Sequence, residues 1–236
     1  METLFIVMPA YNEEANIENV IKQWYPKLAC KSDDSRMVIA DKGSTDRTHE
    51  ILLKMINNGY DKLEVIDSVE KYHGPKVIAL YKYAIAKNAD YVFQTDSDGQ
   101  TNPDEFDVFW EDRKNYSAIF GTRPSREDGL MRKFVERVVC VILKVIFGVS
   151  VSDANAPFRL FEVKQLSNYI KRIPDDFNLP NIILTMFYVY YSEKCSFIPI
   201  SFRPRQGGKN SMNIAKIVKI GSKAVRDFNE IKREML

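Results

Sequence analysis

The 236-residue chain balances 34 Lys and Arg against 32 Asp and Glu for a net charge of +2, which excludes recognition of nucleic acid by bulk charge. With 45% hydrophobic and 28% charged residues it has the composition of an ordinary globular protein, long enough for one large domain. Three scattered cysteines, Cys30, Cys140 and Cys195, lack metal spacing and are expected to be buried thiols of a reducing, cytoplasmic compartment. The chain opens directly into Leu4-Phe5-Ile6-Val7-Met8 with no basic region or cleavage signal, so no leader is expected. The nearest approach to a membrane span, residues 138–147, is short and holds Lys144.

Along the chain, short apolar runs alternate with helical patterns. Strands are expected at residues 4–8, 37–40, 63–66 and 91–95. Between them, Ile17, Val20, Ile21 and Trp24 recur at helical spacing, with Asn12 as cap. Ile51, Leu52 and Met55 do so between a Ser44 or Thr45 cap and a Gly59 stop, and Val77, Ile78, Tyr81 and Ile85 form a third set. A fourth helix starts at Asn102, with Pro103 in its first position and Glu105 in its first turn. Residues 117–122, 158–163 and 196–202 read as further strands. Residues 130–147 read as a long helix, and 210–236 as a polar loop and a basic amphipathic helix. Near-continuous apolar strands alternating with helices predict an α/β fold whose mostly parallel central sheet has helices on both faces. No repeat or linker divides the chain. Residues 1–236 are expected to form one domain with two functional halves, 1–100 and 101–211, and a C-terminal helix over 212–236.

Open parallel sheets bind ligands beyond the carboxyl ends of their strands, and each of the first four expected strand ends is polar. In chain order they are followed by Pro9-Ala10-Tyr11-Asn12-Glu13-Glu14, by Asp41-Lys42-Gly43-Ser44-Thr45-Asp46, by His73-Gly74-Pro75-Lys76, and by Asp96-Ser97-Asp98-Gly99-Gln100. In extended chain Asp96 and Asp98 point to one side. Converging carboxylates repel unless a cation sits with them. Mg²⁺, which takes one or two carboxylates and completes its shell with water and phosphate oxygens, suits that place. A mononucleotide fits the same edge, with its base against Tyr11, a ribose hydroxyl on a carboxylate such as Asp41, and its diphosphate at the metal. Taken singly, turn and capping chemistry explains each stretch; their coincidence on one edge favours a site.

In order and spacing, Val7-Met8-Pro9-Ala10-Tyr11-Asn12-Glu13, the Asp41–Asp46 stretch and Asp96-Ser97-Asp98-Gly99-Gln100 resemble the inverting family-2 glycosyltransferases. The branch most resembled is that of dolichyl-phosphate mannosyltransferases and bacterial polyprenyl-phosphate glycosyltransferases, and the likeness runs from Phe5 to about Ser211. It implies a GT-A fold, a UDP- or GDP-linked sugar donor, Mg²⁺ or Mn²⁺ as cofactor, and a lipid-phosphate or glycan acceptor. It implies nucleotide contacts from Pro9, Tyr11, Glu13, Asp41, Lys76 and Asp96, and Asp98 as main metal ligand beside Asp96 and Gln100. Gly121-Thr122-Arg123 is similar to the family's Gly-Ser-Arg, and Arg132 to a basic residue that meets an acceptor phosphate. Arg205-Gln206-Gly207-Gly208-Lys209-Asn210-Ser211 resembles the late Arg-x-x-Gly loop that closes over the diphosphate, and residues 151–159 occupy the place of an Asp-x-x-x-Gly-Phe-Arg segment. Three positions depart from the pattern: Lys42 for a second acid, Pro157 for glycine, and Glu136 where the lipid-phosphate branch often has serine. The Gln-x-x-Arg-Trp motif of processive synthases is absent, which argues for a single transfer.

Charge dictates how such a site would work. A metal on Asp98 together with Arg205 would stabilise the departing diphosphate. A hydroxyl acceptor needs a general base, for which Asp153 is the first candidate and Asp128 the second. A phosphate acceptor is already anionic and needs cationic anchoring instead, which suits Arg123 and Arg132. The 131–147 helix reads equally as interfacial, with Arg132, Lys133, Arg137 and Lys144 toward lipid headgroups, or as a core or dimer helix. Peripheral contact with the inner membrane face and a homo-oligomer both stay open, and the C-terminal helix shares the ambiguity. A catalytically silent nucleotide-sugar-binding module, motivated by Lys42 and Pro157, is the alternative. A sugar nucleotidyltransferase would need a Gly-rich, Arg-containing loop after the first strand, and a dinucleotide dehydrogenase a Gly-x-Gly-x-x-Gly; neither is present.

Overall fold

The computed structural model describes residues 1–67, 72–124, 130–203 and 214–235, with backbone alone at 130–134 and 214–222. β1 (Leu4–Ala10) is buried at every position, as a strand covered on both faces must be. With it come β2 (Arg36–Asp41), β3 (Leu63–Ile66), β4 (Tyr91–Thr95), β5 (Ala118–Thr122), β6 (Phe158–Glu162) and β7 (Cys195–Pro199). They form one seven-stranded sheet in the order β3-β2-β1-β4-β6-β5-β7. β1 pairs in parallel with β2 and β4, Met8 opposite Ile39 and Ile6 opposite Phe93. Among the described strands only β6 runs against its neighbours, with Thr95 facing Phe158 and Phe120 facing Arg159. The expected mostly parallel sheet is present, with one reversal that the apolar pattern of 158–163 does not announce.

The described helices are α1 (Ile17–Trp24), α2 (Thr48–Asn57), α3 (His73–Ala86), α4 (Phe106–Asp112), α5 (Leu130–Phe147), α6 (Val163–Ile170), α7 (Pro180–Tyr190) and α8 (Ile214–Met235). Alternation along the strands builds two cores. Leu4, Ile6 and Met8 enter one with α1, α2 and α4, while Phe5 and Val7 enter the other with α3, α5, α6, α7 and α8. The first core centres on Phe93, whose ring meets Phe106 at 4.9 Å and Phe158 at 4.7 Å, both edge-on, a favoured aromatic geometry.

Several local expectations are corrected. Asn12 does not cap α1, which starts behind Asn16; Asn12 is a loop residue with φ of 55°. Neither Ser44 nor Thr45 caps α2: Arg47 holds the cap position, and Asp46 just ahead of it accepts the Thr48 N–H at 3.0 Å through Oδ1. Asn102 accepts from the Asp104 N–H at 3.3 Å, but the turn it opens is a 3-10 turn, Pro103–Glu105, ahead of α4. The sequence pattern does not anticipate α6 and α7; α7 is apolar on every side, so it shows no stripe. The thiols are not all buried: Cys30 is exposed, and Cys140 and Cys195 are half-buried. α8 turns Phe228 and Ile231 inward, Phe228 lying 6.2 Å from Phe147 of α5, so its apolar face is core.

α3 begins against the backbone of residues 177–178, where a Cβ on Gly74 would come within 2.4 Å of the Phe177 carbonyl oxygen and 2.6 Å of the Asn178 Cα. Helix propensity favours alanine over glycine by about 1 kcal/mol, but overpacking against backbone costs about 1–3 kcal/mol. Gly74→Ala is therefore expected to lower the urea midpoint of unfolding; a raised midpoint would show that the start of α3 is free to shift.

Candidate active site

The carboxyl ends of β1 and β2 interlock through side chain to backbone hydrogen bonds. The left-handed turn at Asn12 lets its N–H donate to Ser44 Oγ at 3.0 Å, while its Oδ1 accepts the Thr45 N–H at 2.8 Å. The Glu13 N–H donates to Thr48 Oγ1 at 2.8 Å and the Glu14 N–H to Asp46 Oδ2 at 3.0 Å. Buried Asp41 accepts from Ser44 Oγ at 2.5 Å and lies 3.2 Å from His49 Nδ1. Buried Glu13 accepts from Asn16 Nδ2 at 2.8 Å. From α3, the ammonium of Lys76, itself 1% exposed, donates to the carbonyls of Ala10 at 2.6 Å and Lys42 at 2.9 Å. It also stands 5.4 Å from the centre of the exposed Tyr11 ring.

β4 joins this edge through Ser97, whose hydroxyl donates to the Pro9 carbonyl at 2.8 Å. Asp96 accepts from Gln94 Nε2 at 3.4 Å. Asp98 Oδ1 accepts the Gln100 N–H at 3.1 Å, across Gly99 at φ 74°. Gln100 pairs with Arg203 twice, side-chain amide to carbonyl at 2.8 Å and backbone N–H of Arg203 to its own carbonyl at 2.8 Å. Pro9, Tyr11, Glu13, Asp41, Lys76, Asp96, Asp98 and Gln100 thus gather at one sheet edge. Among the described residues no group of three His, Cys, Asp or Glu side chains is arranged to hold a metal. Asp96, Asp98 and the Gln100 amide oxygen nonetheless form a hard oxygen set of the kind Mg²⁺ or Mn²⁺ accepts alongside phosphate.

Further along the same edge, where β5 ends and β6 begins, Arg123 and Asp153 face each other. Arg123 donates from Nε at 2.8 Å, from Nη2 at 3.0 Å and from its backbone N–H at 3.2 Å, with side-chain exposures of 5% and 2%. The Asn155 N–H adds a bond to Asp153 Oδ1 at 3.0 Å. Burial pushes the Asp153 pKa up, but the Arg123 guanidinium, with help from Glu136 and the Asn155 N–H, overrides it and holds the carboxyl at about 2. The side chain of Arg132 in α5, and Asp128 and Arg205 entirely, lie outside the described residues. Sequence reasoning placed Arg159, 1% exposed, at the arginine of the resembled Asp-x-x-x-Gly-Phe-Arg segment but gave it no role; a charge inside the apolar strand Phe-Arg-Leu-Phe was a further signal.

An α/β sheet with this strand order and an acid-rich edge is a GT-A-like fold, and solved structures share it. Glucosyl-3-phosphoglycerate synthase from Mycobacterium tuberculosis, in complex with phosphoglyceric acid, superposes with a TM-score of 0.70 at 18% identity, over 98% of this chain and 80% of that one. Its complex with Mn²⁺, UDP-glucose and phosphoglyceric acid gives 0.69 at 18% identity, over 98% and 79%. The chain belongs to glycosyl transferase family 2, whose model matches residues 5–164. A Pseudomonas fluorescens undecaprenyl-phosphate 4-deoxy-4-formamido-L-arabinose transferase is 25% identical over 66% of this chain and 46% of its own. A Trichomonas vaginalis dolichyl-phosphate beta-glucosyltransferase is 23% identical over 94% and 72%. The chain spans about half the length of several of the curated relatives it matches.

Removing one partner of a buried ion pair costs about 3–5 kcal/mol. Asp153→Asn should lower stability by that order at neutral pH. The Asp153 pKa is depressed from 3.8 to about 2 on folding. Its contribution is therefore fully present above pH 4 and is lost as pH falls through 2. Urea midpoints of wild type and Asp153→Asn, measured from pH 6 to pH 2, should converge at the acid end; a constant gap would contradict the pairing.

Proposed function

We propose that the chain moves one sugar from a UDP- or GDP-linked donor to a polyprenyl phosphate, with inversion and with a divalent metal. The observation that carries this reading is the gathering of Asp41, Lys76, Asp96, Asp98 and Gln100 at one sheet edge. The relatives named for undecaprenyl- and dolichyl-phosphate transfer and a neighbour solved with Mn²⁺ and UDP-glucose support it. On this reading the half at 1–100 holds the donor. Tyr11 stacks on the base, Pro9, Glu13 and Asp41 shape the nucleoside pocket, and Lys76 fixes its backbone wall. Asp98, with Asp96 and Gln100, would hold Mg²⁺ or Mn²⁺, which supplies charge stabilisation to the leaving diphosphate when bound. Arg205 shares that task.

The acceptor half, 101–211, argues for an anion. A base whose pKa is about 2 is mismatched by about five units to proton abstraction near neutral pH, so Asp153 serves as the partner of Arg123. An acceptor that is already ionised needs no base, only cations such as Arg123 and Arg132. A glycan hydroxyl acceptor would demand a base from elsewhere. The silent-module reading rests on Lys42 and Pro157 alone.

Asp98→Asn should reduce sugar transfer to undecaprenyl phosphate by at least about a hundredfold, on the scale of losing a main electrostatic contribution, while the unfolding midpoint barely moves. Donors are UDP- and GDP-sugars with Mn²⁺, and the product is followed by radiolabel. Undiminished transfer in Asp98→Asn would sink the metal role, and nucleotide-sugar binding with no transfer by wild type to any acceptor would favour the silent module.

A polyprenyl acceptor also places the protein at a bilayer surface. No described helix is long and apolar enough to cross one. On α5, Leu143 and Phe147 are buried, whereas Val138, Val141 and Val145 are 40%, 60% and 77% exposed on one side, next to exposed Arg137 and Lys144. That stripe suits shallow insertion beneath anionic headgroups. Cosedimentation with phosphatidylglycerol vesicles should fall several-fold in Val141→Glu/Val145→Glu. Unchanged vesicle binding, or a change in oligomeric state instead, would refute membrane docking by this face.

A further inference from the structure

β6 carries a full positive charge into the core. Arg159 is 1% exposed, and none of the described ion pairs engages it. Burial lowers its pKa to about 10, so it remains a cation at neutral pH. Asp153 and Asp96 favour its charged form only through space; with no carboxylate in direct contact, a buried charge is costly, and a dense set of hydrogen bonds makes it tolerable. The guanidinium makes four: Nε to the Ala156 carbonyl at 2.7 Å, Nη2 to the Ala154 carbonyl at 2.6 Å, and Nη1 to the Asn181 carbonyl at 2.7 Å and Thr185 Oγ1 at 2.8 Å. The ring of Phe120, its cross-strand neighbour, lies 5.3 Å from the guanidinium carbon.

The acceptors fall into two groups. Ala154 and Ala156 bracket Asn155, whose N–H donates to Asp153. Asn181 and Thr185 belong to the first turns of α7. One side chain therefore staples the 153–157 loop to a buried helix. The loop presents Asp153 to Arg123 with two bonds at 2.8 and 3.0 Å. We propose that Arg159 is a positioning residue, which holds this loop in the shape that keeps Asp153 on Arg123 and so fixes the cation that meets the acceptor phosphate. The last step rests on the acceptor reading given above; the stapling does not. Lysine cannot replace the function, because a single ammonium cannot reach acceptors on two sides of a planar fork.

Arg159→Lys in the full chain tests this. Side-chain ¹⁵N–¹H spectra report the Arg123 Nε–H, which exchanges slowly while it is buried against Asp153. Its exchange in Arg159→Lys should speed up at least about tenfold, beyond the change in backbone amides of β1 and β4, since local opening is then cheaper than global unfolding. In the same variant the KM for undecaprenyl phosphate should rise about tenfold, the scale of a modest misplacement, with Kd for the nucleotide sugar held within about twofold. Wild-type Nε–H protection in Arg159→Lys would overturn the proposal, as would donor affinity and acceptor KM worsening in step. Should Arg159→Lys fail to fold, Thr185→Val removes one acceptor together with the hydroxyl's own bond to the Ala154 carbonyl at 3.1 Å, which loosens the same loop from α7, and the same two readouts decide with smaller shifts. If wild type transfers nothing to undecaprenyl phosphate, the acceptor reading fails by itself, and the Nε–H measurement still settles the stapling.

Discussion

Where β1 and β2 leave the sheet, the carbonyls of Ala10 and Lys42 turn away from the ladder, and both accept from the ammonium of Lys76, at 2.6 and 2.9 Å. Much of this polar edge depends on that pair of bonds. A buried ammonium left without partners costs several kcal/mol, while each hydrogen bond to a charged group returns about 1.5–3 kcal/mol. The cation and the backbone shape around it therefore require each other. Lys76 reaches the place because α3 starts hard against residues 177–178, which only glycine at position 74 permits. With the ends of β1 and β2 held side by side, Asn12 can exchange hydrogen bonds with Ser44 and Thr45, and Asp41 is fixed behind them. Ser97 then ties β4 to the carbonyl of Pro9, one residue before the Ala10 carbonyl that Lys76 holds.

The part of the edge around Arg123 and Asp153 is built by the same physics with arginine. Arg159 and Arg123 are both nearly inaccessible to solvent, yet they are compensated differently. Arg123 has a carboxylate and so holds Asp153 ionised into strong acid, whereas Arg159 has carbonyls and a hydroxyl and sits at a lowered pKa. A planar fork with many donors can bridge several chain segments at once; a lysine concentrates its donors at a point. Lys76 joins two strand ends that lie next to each other, and Arg159 joins the 153–157 loop to α7. Each residue type is placed where its geometry is needed.

The strands were legible because they are buried on both faces and read as unbroken apolar runs: all seven positions of β1 are buried. The polar strand ends were legible for the complementary reason, since Asp41, Asp96 and Asp98 follow those runs abruptly. Helix starts were not. Asn12 and Ser44 look like caps, but Asn12 bonds to the Ser44–Thr45 loop 32 residues away, the Ser44 hydroxyl accepts from Asn12 and donates to Asp41, and such pairing overrides local capping. α7 escaped because an apolar helix buried all round has no period to detect. The reversal of β6 was invisible because pairing direction leaves no mark on an apolar run. Arg159 received no role for a related reason: the resembled segment places an arginine there, but only the fold reveals its acceptors at residues 154, 156, 181 and 185.

The three departures from the family pattern can now be weighed by what each position does. The Lys42 side chain is exposed, and the group that matters is its carbonyl, which any residue supplies to Lys76. Pro157 lacks an N–H, but it is a buried residue at the mouth of β6, in a loop held through the neighbouring carbonyl of Ala156. A fixed φ there stiffens the loop without removing any bond that Arg159 makes. Glu136 hydrogen-bonds to Asp153 and helps keep it acidic, so its side chain is engaged with the Arg123–Asp153 pair. All three substitutions fall where the backbone, or an already paired charge, carries the load. They therefore give little support to a silent module.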